Sequence, residues 1–465
     1  MTTWAERLRS TFPGRTRTGP EVAEAPAWDL YAHPRQVPAA ILTARDVADV
    51  QAAVRFAGEH GIALSMRGGG HSGAGFAAVT DGLMLDLSGL REVRVDPERR
   101  IAWAAPGATW GDYDAATQRH GLASTGGIVS STGVAGLTLG GGVGALRGLH
   151  GLAVDNLRGA EVVLADGTLV RADADHEPEL YWALRGGGGN FGVAVRLEFA
   201  VHPVSGVTTG LLVWPLDQAQ QVAAAFRARA EELPDNTVAD LVFKHGDDGE
   251  PVIVVIPRVV GGADEVPLID DLRRAATPAA DTVAPRSYTD SQRFLDEGAR
   301  WCQRVYWNTT TLRHLNEEVV EVLADYAASA PSPASAINVE HYHGAISRAD
   351  PASTAVGFRH ARYNVFVEAK WDDPAADAEN RAWSRELVAA LEPHSAGGAY
   401  VSYLPRDADQ ARIRSAYGAR NHDRLRAVKA AYDPGNLLRS NQNIQPAEHI
   451  GRRADSTPGE FSDSR

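Results

Sequence analysis

Cysteine is almost absent from this sequence, and its scarcity excludes several kinds of site. Cys302 is the one cysteine among 465 residues, so the chain can form neither an internal disulfide nor a multi-cysteine metal or iron–sulfur site. No stretch approaches the roughly eighteen consecutive apolar residues of a membrane-spanning helix. The first twenty residues contain arginines but no apolar region typical of a secretion signal. We therefore expect a cytoplasmic protein that makes no membrane contact, with Cys302 as a buried or neutral thiol.

Long runs of like charge are also missing. The net charge is −13, and it is spread along the chain. An acidic, evenly charged protein argues against nucleic acid or an anionic membrane surface as a partner. A chain of 465 residues with 44% hydrophobic residues fits two or three globular domains with a large core.

Glycine, by contrast, is concentrated in three tracts, which cover 65–75, 126–151 and 185–192. Glycine lets backbone N–H groups turn toward a common point, so such tracts can form a cradle for an anion. His71 lies within the first tract, in Arg67-Gly68-Gly69-Gly70-His71-Ser72. It would meet whatever the cradle holds. The alternative is a flexible surface loop with an incidental histidine.

The dinucleotide pattern G-x-G-x-x-[GA] matches each tract once, at 68–73, 140–145 and 187–192. Its mechanism requires a strand before the glycines and a helix after them. A turn and a strand follow the first match, a strand follows the third, and the residues after the second do not predict a convincing helix. A Rossmann NAD site is therefore disfavoured. Several converging loops still suggest a long phosphate-bearing cofactor held by backbone amides.

The composition of the sequence changes after about Val204, beyond which there are no more glycine tracts. Strand patterns then alternate with amphipathic helices, one of them predicted over 312–328. We predict an α+β protein in which 205–398 form a second domain, with an antiparallel sheet covered by helices. Residues 1–25 are predicted to be a loose lead-in, and 447–465 a polar tail.

Five motifs occur here in the order that one family shows. They are the His71 loop, the tract from Gly126, the pair Asp155-Asn156, the loop from Arg185 and the ending 432–444. On these motifs the chain resembles the berberine-bridge-enzyme-like flavoprotein oxidases of the vanillyl-alcohol-oxidase superfamily. The resemblance extends from about Pro38 to Pro446.

The resemblance implies a two-part FAD-binding domain of the para-cresol methylhydroxylase type, formed by 26–204 and 399–446. It implies FAD bonded covalently to His71. Many relatives attach the flavin a second time through a cysteine, but Val129 holds that place here, so we predict a single link. Further implied cofactor contacts are Arg67, Gly68, Gly69, Gly70, Ser72, Gly127, Val129, Ser131, Gly133, Gly136, Leu139, Gly140, Gly141, Gly142, Gly144, Asp155, Asn156, Gly189, Asn190, Gly192, Val193, Asn441 and Asn443.

In the family the catalytic base is commonly a tyrosine in the strand that opens the C-terminal motif. Tyr403 takes that position, and Tyr400 is a second candidate. Because tyrosine ordinarily has a pKa near 10, a basic role requires help from the flavin, a neighbour or exclusion of water. The alternative is that both tyrosines are packing residues of a sheet.

The chain departs from the family at Phe358, where relatives often have histidine, and at His422, where they have tyrosine, while Arg359 is retained. His343 replaces a small residue and is a third catalytic candidate. A metal pair with His341 is the alternative, but no third ligand is evident nearby in the sequence, and we predict no metal. His343 then contacts substrate or is a structural histidine.

These inferences predict an FAD-linked oxidase that transfers hydride from a small-molecule alcohol, a secondary metabolite or sugar, to flavin N5, with dioxygen reduced to hydrogen peroxide. The alternatives are a dehydrogenase that rejects oxygen, an oxidative cyclase, a flavin protein without net turnover, and a binding protein without flavin. The identity of the substrate and the oligomeric state do not follow from the sequence.

Overall fold

The computed structural model describes residues 3–25, 36–261, 266–299 and 303–448. Cys302 and the predicted polar tail from residue 449 onward lie outside the described residues. Short 3-10 helices occur at Gln118–His120, Gly188–Asn190, Leu216–Gln218, Asp296–Gly298, Pro374–Ala376, Glu392–His394 and Val401–Tyr403.

The N-terminal part of the chain is built from short strands and helices. Its strands are β1 Thr16–Thr18, β2 Ala40–Thr43, β3 Leu64–Arg67, β4 Leu83–Asp86, β5 Val93–Asp96, β6 Ile101–Ala104, β7 Leu122–Ala123, β8 Leu157–Val163, β9 Leu169–Asp173, β10 Val193–Ala200 and β11 His202–Pro203. Its helices are α1 Trp4–Thr11, α2 Pro20–Ala23, α3 Val47–Glu59, α4 Trp110–Thr117, α5 Val134–Gly140, α6 Arg147–His150, α7 Ala153–Asn156 and α8 Pro178–Leu184.

These strands form two main sheets. The first has the order β1-β2-β4-β3, in which β2, β4 and β3 run parallel and β1 is antiparallel to β2. The second has the order β5-β6-β10-β8-β9 and is antiparallel throughout. Strand β3 leads directly into the glycine loop that contains His71, so the first sheet fixes where that loop begins.

The prediction of a loose lead-in is wrong for residues 3–25. Helix α1 begins with a capping box in which Thr3 and Glu6 bond each other's backbone N–H groups. Leu8, Phe12 and Val22 are buried, and β1 extends the first sheet by pairing with β2. Burial of these apolar side chains against the sheet orders a segment whose local composition is polar.

The middle part of the chain carries the larger sheet. Its strands are β12 Val207–Thr209, β13 Leu212–Pro215, β14 Thr237–His245, β15 Pro251–Val260, β16 Ala280–Asp281, β17 Ala284–Arg286, β18 Arg304–Leu312, β19 Ala336–His341 and β20 Tyr363–Trp371. Its helices are α9 Ala219–Ala230, α10 Pro267–Ala275, α11 Tyr288–Arg293, α12 Glu317–Ala328, α13 Ala345–Arg348 and α14 Asp377–Leu391.

Seven strands of this sheet follow the order β16-β13-β15-β14-β19-β20-β18. In addition, β12 pairs with β15, and β17 pairs with β12. Every pairing in it is antiparallel, which confirms the predicted fold class. One face of the sheet buries apolar side chains against α9, α10, α12 and α14. Because strand residues alternate between faces, Ile337 and Val339 of β19 lie in this core and Glu340 points to the opposite face.

The helix predicted over 312–328 begins later than expected. Residues up to Leu312 belong to strand β18, and α12 begins at Glu317 after the N-cap Asn316, whose side chain accepts from the N–H of Val319. Strand pairing along the whole of β18 with β20 decides the boundary.

Two helices, α15 Gln410–Tyr417 and α16 Ala419–Tyr432, form most of the C-terminal part. Leu425, Val428 and Ile444 from this part share one hydrophobic core with Trp110 and Phe199 of the N-terminal part. The two ends of the chain therefore share a core, while the predicted domain boundaries stay a prediction. Among the helices of the described residues, none is long and apolar enough to cross a membrane.

Candidate active site

The glycine tracts meet at van der Waals contact. A Cβ atom at Gly69 would clash with the backbone nitrogen of Gly133, and one at Gly133 would clash with the nitrogen of Gly69. A Cβ at Gly140 would likewise clash with the hydroxyl of Ser402. Only glycine permits these approaches, and they bring the first tract, the second tract and the C-terminal segment to one place.

A buried polar clamp joins the third glycine tract to the C-terminal motif. The side chain of Asn190 accepts a hydrogen bond from the N–H of Ile444 at 3.0 Å and donates to the carbonyl of Gln442 at 3.2 Å. The fully buried Lys429 donates to the carbonyl of Asn190 at 2.7 Å and to the carboxylate of Asp433 at 2.6 Å. The clamp fixes the segment that carries Asn441 and Asn443.

His71 is held at the junction of the first two tracts. Its Nε2 lies 2.8 Å from the hydroxyl of Ser131, and its Nδ1 lies 3.5 Å from that of Thr132. Burial lowers the pKa of His71 to about 4, although the charge of Asp296 acts in the opposite direction. The imidazole is therefore neutral near pH 7, which is the form that can act as a nucleophile.

Unpaired polar atoms line the same region. Among the residues that the structure describes, the amide oxygens of Asn441 and Asn443 and the hydroxyl of Thr138 are buried and lack a hydrogen-bond partner. Buried polar atoms of native proteins are normally satisfied. The unpaired atoms and the glycine cradle fit a group with several hydrogen-bonding edges, as the pyrimidine ring and phosphates of FAD provide.

The central feature of the site is a hydrogen-bonded pair, Tyr403 and Glu340. The hydroxyl of Tyr403 donates to Glu340 Oε1 at 3.0 Å, while Tyr342 and Asn364 donate to Oε2 at 2.7 and 3.0 Å. Glu340 is buried, and burial raises its pKa above the ordinary value. Burial, followed by the charge of Glu340, raises the pKa of Tyr403 well above 10.

Aromatic rings surround Tyr403. Phe366 stacks on it with ring centroids 4.0 Å apart, and Trp307 meets it edge-on at 5.9 Å. Trp307 also packs against Gly73 of the first loop, where a Cβ would clash with the indole. These rings exclude water from one side of the tyrosine and link the middle sheet to the loop of His71.

Tyr400 lies beside Tyr403, with ring centroids 4.6 Å apart, and its hydroxyl accepts from the N–H of Gly142 at 3.0 Å. Both tyrosines were expected in a strand, which is wrong. Tyr403 ends the 3-10 helix Val401–Tyr403, whose turn points both rings inward from one short segment. Tyr400 is buried and ties the second glycine tract to the C-terminal segment.

The structure does not bring His343 to this site. His343 stacks on His341 at 4.8 Å, and His341 meets Phe226 of α9, on the helix-covered face of the sheet. Glu340 and Tyr342 face the other way, because neighbouring strand residues alternate. His343 contacts the carbonyl of Pro234 at 3.4 Å, so its position supports the structural alternative. No cluster suited to a metal ion occurs in the described residues.

Phe358, the first departure from the family pattern, does border the site. It packs between Tyr342 and Tyr400, at 5.7 and 5.3 Å. His422, the other departure, lies away from the pair, beside Arg414 at 3.3 Å.

Asp155 and Asn156 use their side chains inside the protein. Asp155 pairs with Arg359 at 2.5 Å and accepts from the N–H of Leu152. Asn156 donates to two carbonyls and lies 2.7 Å from Nε2 of His202. Contact of these two side chains with a cofactor stays a prediction.

The other predicted cofactor contacts are Arg67 and residues in or next to the glycine tracts. Arg67 pairs with Asp86 at 3.1 Å beneath the first loop. Val193 begins β10 directly after the third tract, and the remaining contacts lie within the three tracts: Gly68, Gly70, Ser72, Gly127, Val129, Gly136, Leu139, Gly141, Gly144, Gly189 and Gly192.

Sequence reasoning missed Glu340, Tyr342 and Asn364. The sequence did carry a signal for Glu340. Apolar side chains alternate along β19 at Ile337 and Val339, so the acidic residue that follows them lies on the other face of a buried strand. A buried carboxylate opposite a tyrosine is a typical feature of a functional site.

Two family models match the chain. One, described as FAD binding domain, matches residues 38–173, and the other, described as berberine and berberine like, matches residues 399–445. The matched ranges are the parts that supply His71 and Tyr403.

Full-length relatives match as well. An FAD-linked oxidoreductase of Pyricularia oryzae is 30% identical over 443 residues, which cover 89% of this chain and 84% of that protein. The (R)-6-hydroxynicotine oxidase of Paenarthrobacter nicotinovorans is 28% identical over 423 residues, covering 88% of this chain and 92% of that protein. The crystal structure of 6-hydroxy-D-nicotine oxidase from Arthrobacter nicotinovorans superposes with a TM-score of 0.84 at 26% identity, covering 94% of this chain and 98% of that chain.

Proposed function

Because the chain belongs to the berberine-bridge-enzyme-like FAD-linked oxidoreductases, we propose that it is an oxidase acting on a small-molecule alcohol. The observation that carries this proposal is the hydrogen bond from Tyr403 to the buried Glu340 at 3.0 Å. Removal of hydride from a carbinol carbon requires a group that takes the hydroxyl proton, and this pair supplies one.

The pair handles the proton in two connected transfers. Tyr403 stays protonated at neutral pH, since burial raises its pKa well above 10. It accepts the substrate proton on its oxygen while its own proton passes to Glu340. The raised pKa of Glu340 makes that carboxylate a better acceptor, and Tyr342 and Asn364 hold it in place.

FAD bound in the glycine cradle supplies the hydride acceptor and, once reduced, the centre that reacts with dioxygen. His71 forms the single covalent link to it, since Val129 stands where relatives have a cysteine. Asn441 and Asn443, with their unpaired amide oxygens, bind its polar edge. Flavin that stays on the chain after acid denaturation supports the link, and flavin released into the supernatant contradicts it.

The substrate is a small molecule that fits against the rings of Phe366, Trp307 and Phe358. Relatives are named for different small molecules. One is a xylooligosaccharide oxidase of Thermothelomyces thermophilus, 28% identical over 448 residues, and another is the hydroxynicotine oxidase. Aromatic faces stack on sugar rings and on aromatic alcohols alike.

The test is an anaerobic screen of sugars, aromatic alcohols and polyketide-type hydroxyl compounds against the holoenzyme. Bleaching of the flavin absorbance by one compound, followed on aeration by one hydrogen peroxide per product, supports the oxidase. Bleaching without peroxide on aeration identifies a dehydrogenase instead, and a ring-closed product identifies an oxidative cyclase. A colourless purified protein contradicts flavin binding altogether.

A further inference from the structure

A carboxylate from the middle part of the chain holds the loop that positions His71. Asp296 accepts from the backbone N–H of Ser130 at 2.8 Å through Oδ1 and from the hydroxyl of Ser130 at 2.7 Å through Oδ2. The next residue, Ser131, is the one whose hydroxyl lies 2.8 Å from Nε2 of His71. Two short hydrogen bonds thus fix the residue adjacent to the histidine's partner.

Asp296 also acts on His71 through its charge. Burial lowers the pKa of the imidazole, and the charge of the Asp296 carboxylate acts in the opposite direction. The guanidinium of Arg293 lies 3.8 Å from Asp296 and is largely exposed, so water screens much of its charge.

We propose that Asp296 is a positioning residue for the covalent attachment of FAD to His71. The inference rests on the proposed link. In that reaction the imidazole N–H bond and one C–H bond of the flavin 8-methyl group are replaced by an N–C bond. The two protons and two electrons released pass to dioxygen, which becomes hydrogen peroxide.

Two effects of Asp296 favour this step. The imidazole becomes positively charged as its nitrogen bonds to carbon and before its proton leaves, and a half-buried site disfavours that charge. A carboxylate nearby stabilises it. The two hydrogen bonds from Ser130 to Asp296 also keep Ser131, and with it the imidazole of His71, in one orientation. A fixed orientation favours attack of the imidazole on the flavin methyl group.

The chain offers a matched control in Glu297, the exposed neighbour of Asp296 in the same 3-10 helix. We would produce full-length wild type, Asp296→Asn, Asp296→Glu and Glu297→Gln and purify each with its bound FAD at intervals after expression begins. In each sample, total flavin is measured by absorbance, and covalent flavin by fluorescence of the acid-denatured chain on a gel.

We expect nearly all bound flavin to be covalent in wild type and Glu297→Gln. Asp296→Asn should bind a similar total amount but attach it about tenfold to a hundredfold more slowly, and Asp296→Glu should restore part of the rate. The ratio of covalent to total flavin is the decisive readout, because a merely loosened fold lowers both amounts together.

Two results overturn the inference alone: attachment by Asp296→Asn at the wild-type rate, or loss of total and covalent flavin in proportion. Release of all flavin from the wild type by acid overturns the covalent link itself, and this inference with it.

Discussion

Glu340 is the residue on which the proposed proton transfer depends. It receives three hydrogen bonds in a buried setting, and the bond from Tyr403 comes from a different part of the chain. Glutamine has nearly the same shape and can accept the same hydrogen bond, but it cannot take up the proton. The role of the carboxylate can therefore be separated from its role in packing.

Replacing Glu340 with glutamine should lower kcat about 10²- to 10⁴-fold, the usual contribution of a positioned general base. The amount of bound FAD should not change. Anaerobic flavin bleaching with an identified substrate measures the effect, and the exposed Glu321→Gln on α12 serves as the control. Unchanged bleaching in Glu340→Gln would remove the carboxylate from the mechanism.

Asp114 gives a prediction about pH and stability. It is buried in α4, and burial raises its pKa to about 8 despite the hydrogen bond from Gln292. The folded protein therefore keeps the proton at pH values where the unfolded chain has lost it. The contribution of Asp114 to the free energy of unfolding is fully present below its unfolded-state pKa near 4. It is lost as pH rises toward 8, by up to about 1.4 kcal/mol per pH unit.

The variant Asp114→Asn cannot ionise, so its free energy of unfolding relative to wild type should increase between pH 5 and pH 8 and level off above. Denaturant titrations at four pH values measure this difference. A difference that stays constant with pH would mean that Asp114 is already ionised in the folded protein.

At the residue scale the sequence could place His71, Tyr400 and Tyr403 only through the resemblance of whole motifs. It could not place Glu340, because the partner that gives this carboxylate its role lies in a distant segment. The structure places His343 two residues beyond the end of β19, stacked on His341. The side of a sheet to which such a residue points depends on the strand register, and a shift of one residue reverses it.

At the scale of elements, the buried clamp around Lys429 gives a direct test of how the C-terminal part is held. Its amine, which is fully buried, binds the carbonyls of Asn190 and Leu438 and the carboxylate of Asp433. That carboxylate also accepts the N–H groups of Leu437 and Leu438. Helix α16 and the third glycine tract are thereby joined to the segment of Asn441.

Lys429→Met should destabilise the protein by about 3–5 kcal/mol, the usual cost of leaving a buried carboxylate without its partner. Thermal unfolding of the holoenzyme measures the effect, with Lys244→Met on β14 as the control. Equal unfolding midpoints for the two variants would show that the clamp contributes nothing.

The helix predicted over 312–328 followed from local pattern and is present as α12, Glu317–Ala328. Apolar periodicity reports burial of a face, and it located this helix although not its first residue. The N-terminal segment 3–25 was missed because its order comes from pairing of β1 with β2, a contact that local composition does not contain.

At the scale of the whole molecule, the site exists only where three parts of the chain meet. The N-terminal part supplies His71, the middle sheet supplies Glu340, and the C-terminal part supplies Tyr403. Arg147 of α6 strengthens the junction by donating to the carbonyl of His341 at 3.0 Å and to Asp240 at 2.5 Å, both in the middle sheet. The geometry of the candidate site therefore depends on the packing of the three parts.

The most direct test of the oxidase assignment is the rate at which the dithionite-reduced holoenzyme reacts with air-saturated buffer. We expect the flavin absorbance to return within seconds, with one hydrogen peroxide formed per flavin. A return that takes many minutes, or one without peroxide, would contradict the oxidase and indicate a dehydrogenase on the same scaffold.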